Sequence, residues 1–238
     1  MLNETFFLDG VDARSVGIHL QNPIQFSEPV PIVKVESIPG RNGNIIYETG
    51  AFENRTGDAE CFVMDRDDVM RSITDANKFL LSKRGYRRLE TSDDNAHFWL
   101  ARVENGARIE QRLRALAPFE ISFDCKPQRF LKNGDAKIVL TDDQEIYNDY
   151  GFDALPLIAV QCTNGGSFYF NDVFVQILPP YNGVIYLDSE TQNAYNDIGN
   201  QNNNVVAPSF PVLKAGANDI VFYSNIQKME IIPRWWEL

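Results

Sequence analysis

Phe119-Glu-Ile-Ser-Phe-Asp-Cys-Lys126 is the stretch on which the fold turns. Phe119, Ile121, Phe123 and Cys125 fall on one side of an extended chain; Glu120, Ser122, Asp124 and Lys126 fall on the other. A strict period of two marks a strand with one buried and one wet face, the usual condition of strands in antiparallel sheets. Upstream, residues 96–103 (Ala-His-Phe-Trp-Leu-Ala-Arg-Val) read as a strand that ends at a turn, Asn105-Gly106, with 107–116 as its hairpin partner. Further strands are expected at 6–8, 32–38, 44–48, 58–64 and 86–91. Downstream, Pro127 ends the alternating strand and Asn133-Gly134 offers a turn, so a domain boundary is expected there, between 1–133 and 134–238.

One helix interrupts the β pattern. Val69, Ile73, Ala76 and Leu80 recur at helical spacing and form an apolar stripe suited to lying across a sheet. Asp65 is expected to cap it, Asp67 and Asp68 to occupy its first turn, and Gly85 to close it. Beyond residue 134 there are only short β runs, at 137–140, 157–162, 167–170, 173–178, 184–187, 220–224 and 228–232. Gly165-Gly166, Asn171-Asp172, Asn182-Gly183 and Asp188-Ser189 punctuate them as turns, and 196–204 reads as a mobile Asn-rich loop. The expected fold class is therefore mostly β: a first β-domain with one α-helix, then a β-sandwich of jelly-roll type.

Composition limits the functions available. The chain has 238 residues, 44% hydrophobic and 23% charged, which is enough for a packed core. Its net charge of -11 is uneven: residues 1–133 carry 18 Lys/Arg and 20 Asp/Glu, whereas 134–238 carry 4 and 13. Binding to a phosphate backbone needs a basic face, and the one locally basic stretch, Lys83 to Arg114, reads first as a solvated or subunit-contacting face. Cys61, Cys125 and Cys162 stand far apart and form no CxxC pair, so neither zinc nor a disulfide framework is indicated. No signal peptide and no apolar run of about 20 residues is present. The Asn3 and Asn54 sequons carry little weight without secretion, and a reducing cytoplasm is the expected site of synthesis.

The search for chemistry returns little. His19 and His97 have no ligand or base partner at a recognisable spacing, and no nucleophile elbow, phosphate loop or metalloprotease motif occurs. Gly40-Arg-Asn-Gly43 reads as a tight turn. Asp142, Asp143, Glu145, Asp149 and Asp153 could supply a glycosidase pair, and Asp188-Ser-Glu-Thr-Gln-Asn193 a calcium loop, but plain acidic loops and a plain turn explain both. Tyr169, Tyr181, Tyr186, Tyr195, Trp235 and Trp236 are candidates for a sugar platform, set against the reading that they are core or interface aromatics. No catalytic, cofactor or metal site is expected.

An ordered set of segments carries a resemblance. It runs Phe6-x-x-Asp-Gly10, Val16-Gly-Ile, Ile38-Pro-Gly-Arg-Asn-Gly43, Tyr47 and Arg55, and the helix before Gly85. It continues through Tyr86-Arg-Arg-Leu, Phe98-Trp99-Leu and Phe119 to Pro127. In the second half come Pro156-Leu-Ile, Ile185-Tyr-Leu-Asp-Ser-Glu190, Ala194-Tyr195, Phe210-Pro211, Gly216-Ala-Asn218 and Ile232-Pro-Arg-Trp235. In this order they resemble the distal tail (Dit) proteins of long-tailed phages that infect Gram-positive bacteria.

The resemblance implies a tail-tube-like N-terminal domain (1–133) and a galectin-like C-terminal β-sandwich (134–238). It implies a homohexameric ring around a channel through which DNA passes without specific binding. The implied partners are the tail tube protein, the tail-associated lysin or tip protein, and a receptor-binding protein, with no membrane. The implied place is the virion tail tip, assembled in the host cytoplasm. Some relatives carry inserted carbohydrate-binding modules, and this chain reads as the short, scaffold-only form. A ring of identical subunits closes only if each offers two complementary patches; Arg84, Arg87, Arg88, Arg102, Arg108, Arg112 and Arg114 are the candidates for them. The alternative is a carbohydrate-binding module for adhesion to the host surface.

Overall fold

The structure is a computed structural model, and it describes residues 4–64, 68–104 and 116–238. The chain forms two compact units, residues 1–129 with Leu238, and Phe130–Glu237. Both are built from antiparallel strands, and there is one α-helix among the described residues.

The first unit contains β1 (Phe6–Leu8), β2 (Val11–Asp12), β3 (Ile18–Leu20), β4 (Gln25–Phe26), β5 (Pro31–Glu36), β6 (Ile45–Phe52) and β7 (Arg55–Met64). Helix α1 (Val69–Leu81) follows, then β8 (Arg87–Thr91), β9 (His97–Val103) and β10 (Leu116–Cys125). The strand order is β2-β1-β8-β9-β10-β7-β3, with β4 also paired to β7. Phe119 faces Cys61 and Ile121 faces Ala59 across β10 and β7, so the alternation of both strands puts the same face into the core. Helix α1 packs on that face and buries Val69, Ile73, Ala76, Phe79 and Leu80. The rings of Phe79 and Phe123 meet that of Phe6 at 6.3 Å and 5.7 Å. Removing each such side chain from water stabilises the unit by about 1.5–3 kcal/mol.

Two local expectations need correcting, and a third lies largely outside the described residues. The helix is capped by Asp68, whose carboxylate accepts the Arg71 N–H, so Asp68 stands before the first turn and not within it. Asp65 and Asp67 lie outside the described residues. The helix ends at Leu81 with Ser82 as its C-cap, short of Gly85, because Lys78 already offers its carbonyl to the Ser82 N–H. Strand β9 pairs with the far end of β10, Val103 facing Phe123; the hairpin partner expected at 107–116 falls, except for Leu116, outside the described residues.

The second unit begins within β11 (Arg129–Leu131) and contains β12 (Ile138–Leu140), β13 (Gln144–Asn148), β14 (Leu157–Phe170), β15 (Val173–Ile177) and β16 (Gly183–Asp188). It continues with β17 (Asn193–Asn196), β18 (Gly199–Asn200), β19 (Val205–Val206), β20 (Gly216–Ile232) and β21 (Trp236–Glu237). Strands β14 and β20 run side by side as its spine. The first half of β14 pairs with β16 and the second half with β15, so the sheet curls over Ile158, Val160, Phe168, Phe170, Met229 and Ile231.

One expected turn, and one gap between two expected strands, are irregularities inside these long strands. Register shifts where β14 passes through Gly165-Gly166, and a Cβ on Gly165 would stand 2.6 Å from the Ile177 carbonyl oxygen. Glycine is there for close approach within a continuous strand. Likewise 220–224 and 228–232 are one strand, β20, with Asn225 in left-handed conformation between them. The Asn-rich loop forms β17, β18 and a 3-10 turn at Asn202–Asn204. Its amides organise it: Asn196 Oδ1 accepts from the Ile198 and Gly199 N–H groups, and Asn202 Nδ2 donates to Asn193 Oδ1.

Candidate assembly surfaces

The segments that carry the family resemblance meet one another in space. In the first unit, Asp9 sits in left-handed conformation in the β1–β2 turn and accepts from Lys83 Nζ (2.8 Å) and Arg87 Nε (3.0 Å), with the Arg88 N–H on its other oxygen. Arg87 donates onward to the Phe79 carbonyl (2.8 Å) near the C-terminal end of α1, where the helix dipole favours a cation. Burial pushes the Asp9 carboxyl upward, but the bonds from Lys83 and Arg87 outweigh it and hold the group below the ordinary aspartate value. Phe-x-x-Asp-Gly and Tyr-Arg-Arg-Leu are therefore two halves of one joint.

The second unit has an equivalent joint. Arg234, also in left-handed conformation, forks onto Asp188 with Nη1–Oδ1 at 2.7 Å and Nη2–Oδ2 at 3.3 Å. Burial raises the Asp188 carboxyl, and the Arg234 fork more than reverses that shift. The Arg234 N–H bonds the Gly134 carbonyl, and a Cβ at Gly134 would lie 2.5 Å from the Trp235 nitrogen. Fully buried Asn218 uses its whole amide, accepting from the Lys214 N–H and Asn171 Nδ2 and donating to the Lys214 and Gly216 carbonyls. Sequence reasoning placed a turn at 188–193 but missed this ion pair; the reciprocal Asp and Arg in two resemblance segments were the available signal.

The arginines expected at an interface divide into four sets. Arg87 is buried and serves its own unit, as above. Arg88 lies 3.6 Å over the Phe98 ring and bonds Glu90, and Arg102 bonds Asp124 at 2.6 Å, both partly open to solvent. Arg84 is exposed in the α1–β8 connection and forms no ion pair with any described residue. Arg108, Arg112 and Arg114 lie outside the described residues.

One uncovered apolar feature was not foreseen. Strands β5 and β6 pair only with each other, the chain reversing over 37–44 with Gly40 and Gly43 in left-handed conformation. Every residue of β5 is exposed, and Ile32, Val33, Val35, Ile38, Ile46 and Tyr47 are open to water. Adjacent apolar pairs, Ile32-Val33 and Ile45-Ile46, occupy both faces of this hairpin. That was the readable signal, since a strand wet on one side would alternate. A lone two-stranded hairpin is marginal in water.

The wet face of β7 and β10 is acidic. Glu60 and Glu120 stand directly opposite each other, and Asp58 accepts from the Ser122 hydroxyl. Like charges in register weaken a sheet slightly.

Several of the side chains that might do chemistry are otherwise engaged. His97 Nδ1 lies 2.9 Å from Asp94, and His19 stacks on Phe62. All three cysteines are buried and free, with burial pushing the Cys61 and Cys125 thiols up to about 12. Asp143 and Asp153 accept backbone N–H groups of Phe222 and Ala215. Among the described residues no cluster of His, Cys, Asp or Glu could hold a metal ion, and no helix is long and apolar enough to cross a membrane. The sugar-platform candidates do not form one site. Trp235 is buried, Trp236 stacks on Phe152, and Tyr186 stacks on Tyr195, while Tyr169 lies with Phe174 and Tyr223.

No family model matches the sequence, and no curated protein does. Solved structures do. The chain is similar to the crystal structure of the SPP1 Dit (gp 19.1) protein, described as a paradigm of the hub adsorption apparatus in phages that infect Gram-positive bacteria. The TM-score is 0.72 at 15% identity, over 96% of this chain and 97% of that one. From one end to the other, then, the polypeptide has the fold of a Dit protein.

Proposed function

We propose that the chain is a structural hub subunit of a phage tail tip, six copies of which close into a ring through the first unit. The observation that carries this reading is the β5–β6 hairpin, apolar on both faces and uncovered in its own chain. A heterologous ring gives each copy's hairpin a seat on the next subunit, and burying Val35 and Ile46 there contributes about 1.5–3 kcal/mol each. Exposed Arg84, Arg88 and Arg102 are the polar contacts of that interface, with Arg108, Arg112 and Arg114 as further candidates.

The acidic wet face of β7 and β10 suits a channel wall, because it repels phosphate and lets DNA slide without being gripped. The partners are the tail tube protein on one side and the tail-associated lysin or tip protein on the other. A receptor-binding protein attaches to the second unit (134–238 in the sequence division). The subunit does no bond-making chemistry, and it is assembled in the host cytoplasm into the virion tail tip.

Light scattering on the wild type and on a Val35→Asp, Ile46→Asp double variant tests the reading. The wild type is expected as a hexamer and the variant as a folded monomer. A wild type that is monomeric at micromolar concentration removes the ring; a variant that remains hexameric removes the hairpin from its interface.

A further inference from the structure

The outward face of the second unit's sheet carries an aromatic surface that the ring reading leaves unused. Register puts Tyr169 on β14 between Phe174 on β15 and Val221 on β20. The Tyr169 and Phe174 rings are 4.9 Å apart, and Tyr223 stands edge-on to both at 6.4 Å and 6.3 Å. Phe168, Phe170 and Ile220 point the other way, into the core. On neighbouring β13, Tyr147 and Glu145 share the exposed side, and Glu145 stands directly opposite Asp219. Tyr147 is 61% exposed and Tyr223 72%. Single exposed apolar residues need no explanation, but contiguous rings do.

Charge decides the occupant. The Glu145 and Asp219 carboxylates have no ion pair or hydrogen bond with any described residue, and like carboxylates facing each other across a ladder weaken it until a cation sits between them. The chain from 134 onward carries 13 Asp/Glu against 4 Lys/Arg, so the field around the face is negative as well. Aromatic faces attract guanidinium and ammonium groups, and a carboxylate takes an arginine fork in bidentate fashion. We propose that this face, built on Tyr169, Phe174, Tyr223, Glu145 and Asp219, docks an arginine-bearing basic segment of a partner protein. The proposal does not depend on ring closure.

Calorimetric titration of the full chain with a hexa-arginine peptide, and separately with an uncharged chitohexaose, tests it. Saturable binding of the peptide is expected, weakened about ten-fold or more by E145Q/D219N and by Y169A/Y223A. A D149N/D197N control removes the same charge from exposed positions elsewhere in the unit and is expected to weaken it about two-fold or less. No binding by the wild type, or an equal loss in the control, overturns the proposal, the second because net charge alone would then explain the affinity. Binding of the oligosaccharide but not the peptide overturns it in favour of a sugar site. If Y169A/Y223A melts early, the carboxamide variant and its control decide the matter.

Discussion

Arg234 and Asp188 show how single residues hold this protein together. The pair joins the end of β16 to the segment after β20, and each partner is largely shielded from solvent. Arg234→Ala is expected to cost about 1.5–3 kcal/mol, the usual worth of hydrogen bonds to a charged group, read as a lower melting temperature. Asp9 and Asp188 both have folded-state carboxyls below their ordinary value. Such groups contribute stability that is fully present above the unfolded aspartate value, about 3.9, and is lost as pH falls through the lower folded value. Calorimetry should therefore show wild-type stability falling below about pH 4. Asp188→Asn should begin less stable and lose less between about pH 5 and pH 3; parallel losses would mean that the Arg234 fork does not set this acid sensitivity. Cys61 and Cys125, buried with thiols pushed up to about 12, should not react with a thiol reagent until the chain unfolds. Rapid labelling of folded protein would contradict that.

The elements differ in how far sequence could specify them. The alternation of 119–126 identified β10, its buried face and its antiparallel setting, because a half-buried strand writes its environment into every second residue. Phe123→Ala is accordingly expected to leave a cavity against Phe6 costing about 3–5 kcal/mol by chemical denaturation, and a loss under 1 kcal/mol would contradict a tightly packed core there. The long strands β14 and β20 were harder to read. Glycine pairs signal turns and bulges alike, and only the cross-strand partner, with the Ile177 carbonyl pressed against Gly165, decides which. Helix α1 was legible from its stripe, but several acids before it could serve as cap, and the choice of Asp68 depends on local backbone geometry. The hairpin β5–β6 was legible as two strands but not as uncovered, since an apolar run reads the same whether its cover comes from its own chain or from another.

At the scale of the whole molecule, residues did not reveal function through chemistry. The readable clue was the order of segments that now pair as Asp9 with Arg87 and Asp188 with Arg234. Beyond those joints, the hairpin, the acidic sheet face and the aromatic surface are exposed. In the proposed function, copies of this chain fit against one another. Negative-stain electron microscopy of the purified full chain at micromolar concentration is the decisive measurement. Rings of six subunits around an open centre are expected, lost on Val35→Asp with Ile46→Asp; a field of dispersed single particles from the wild-type chain would refute ring closure.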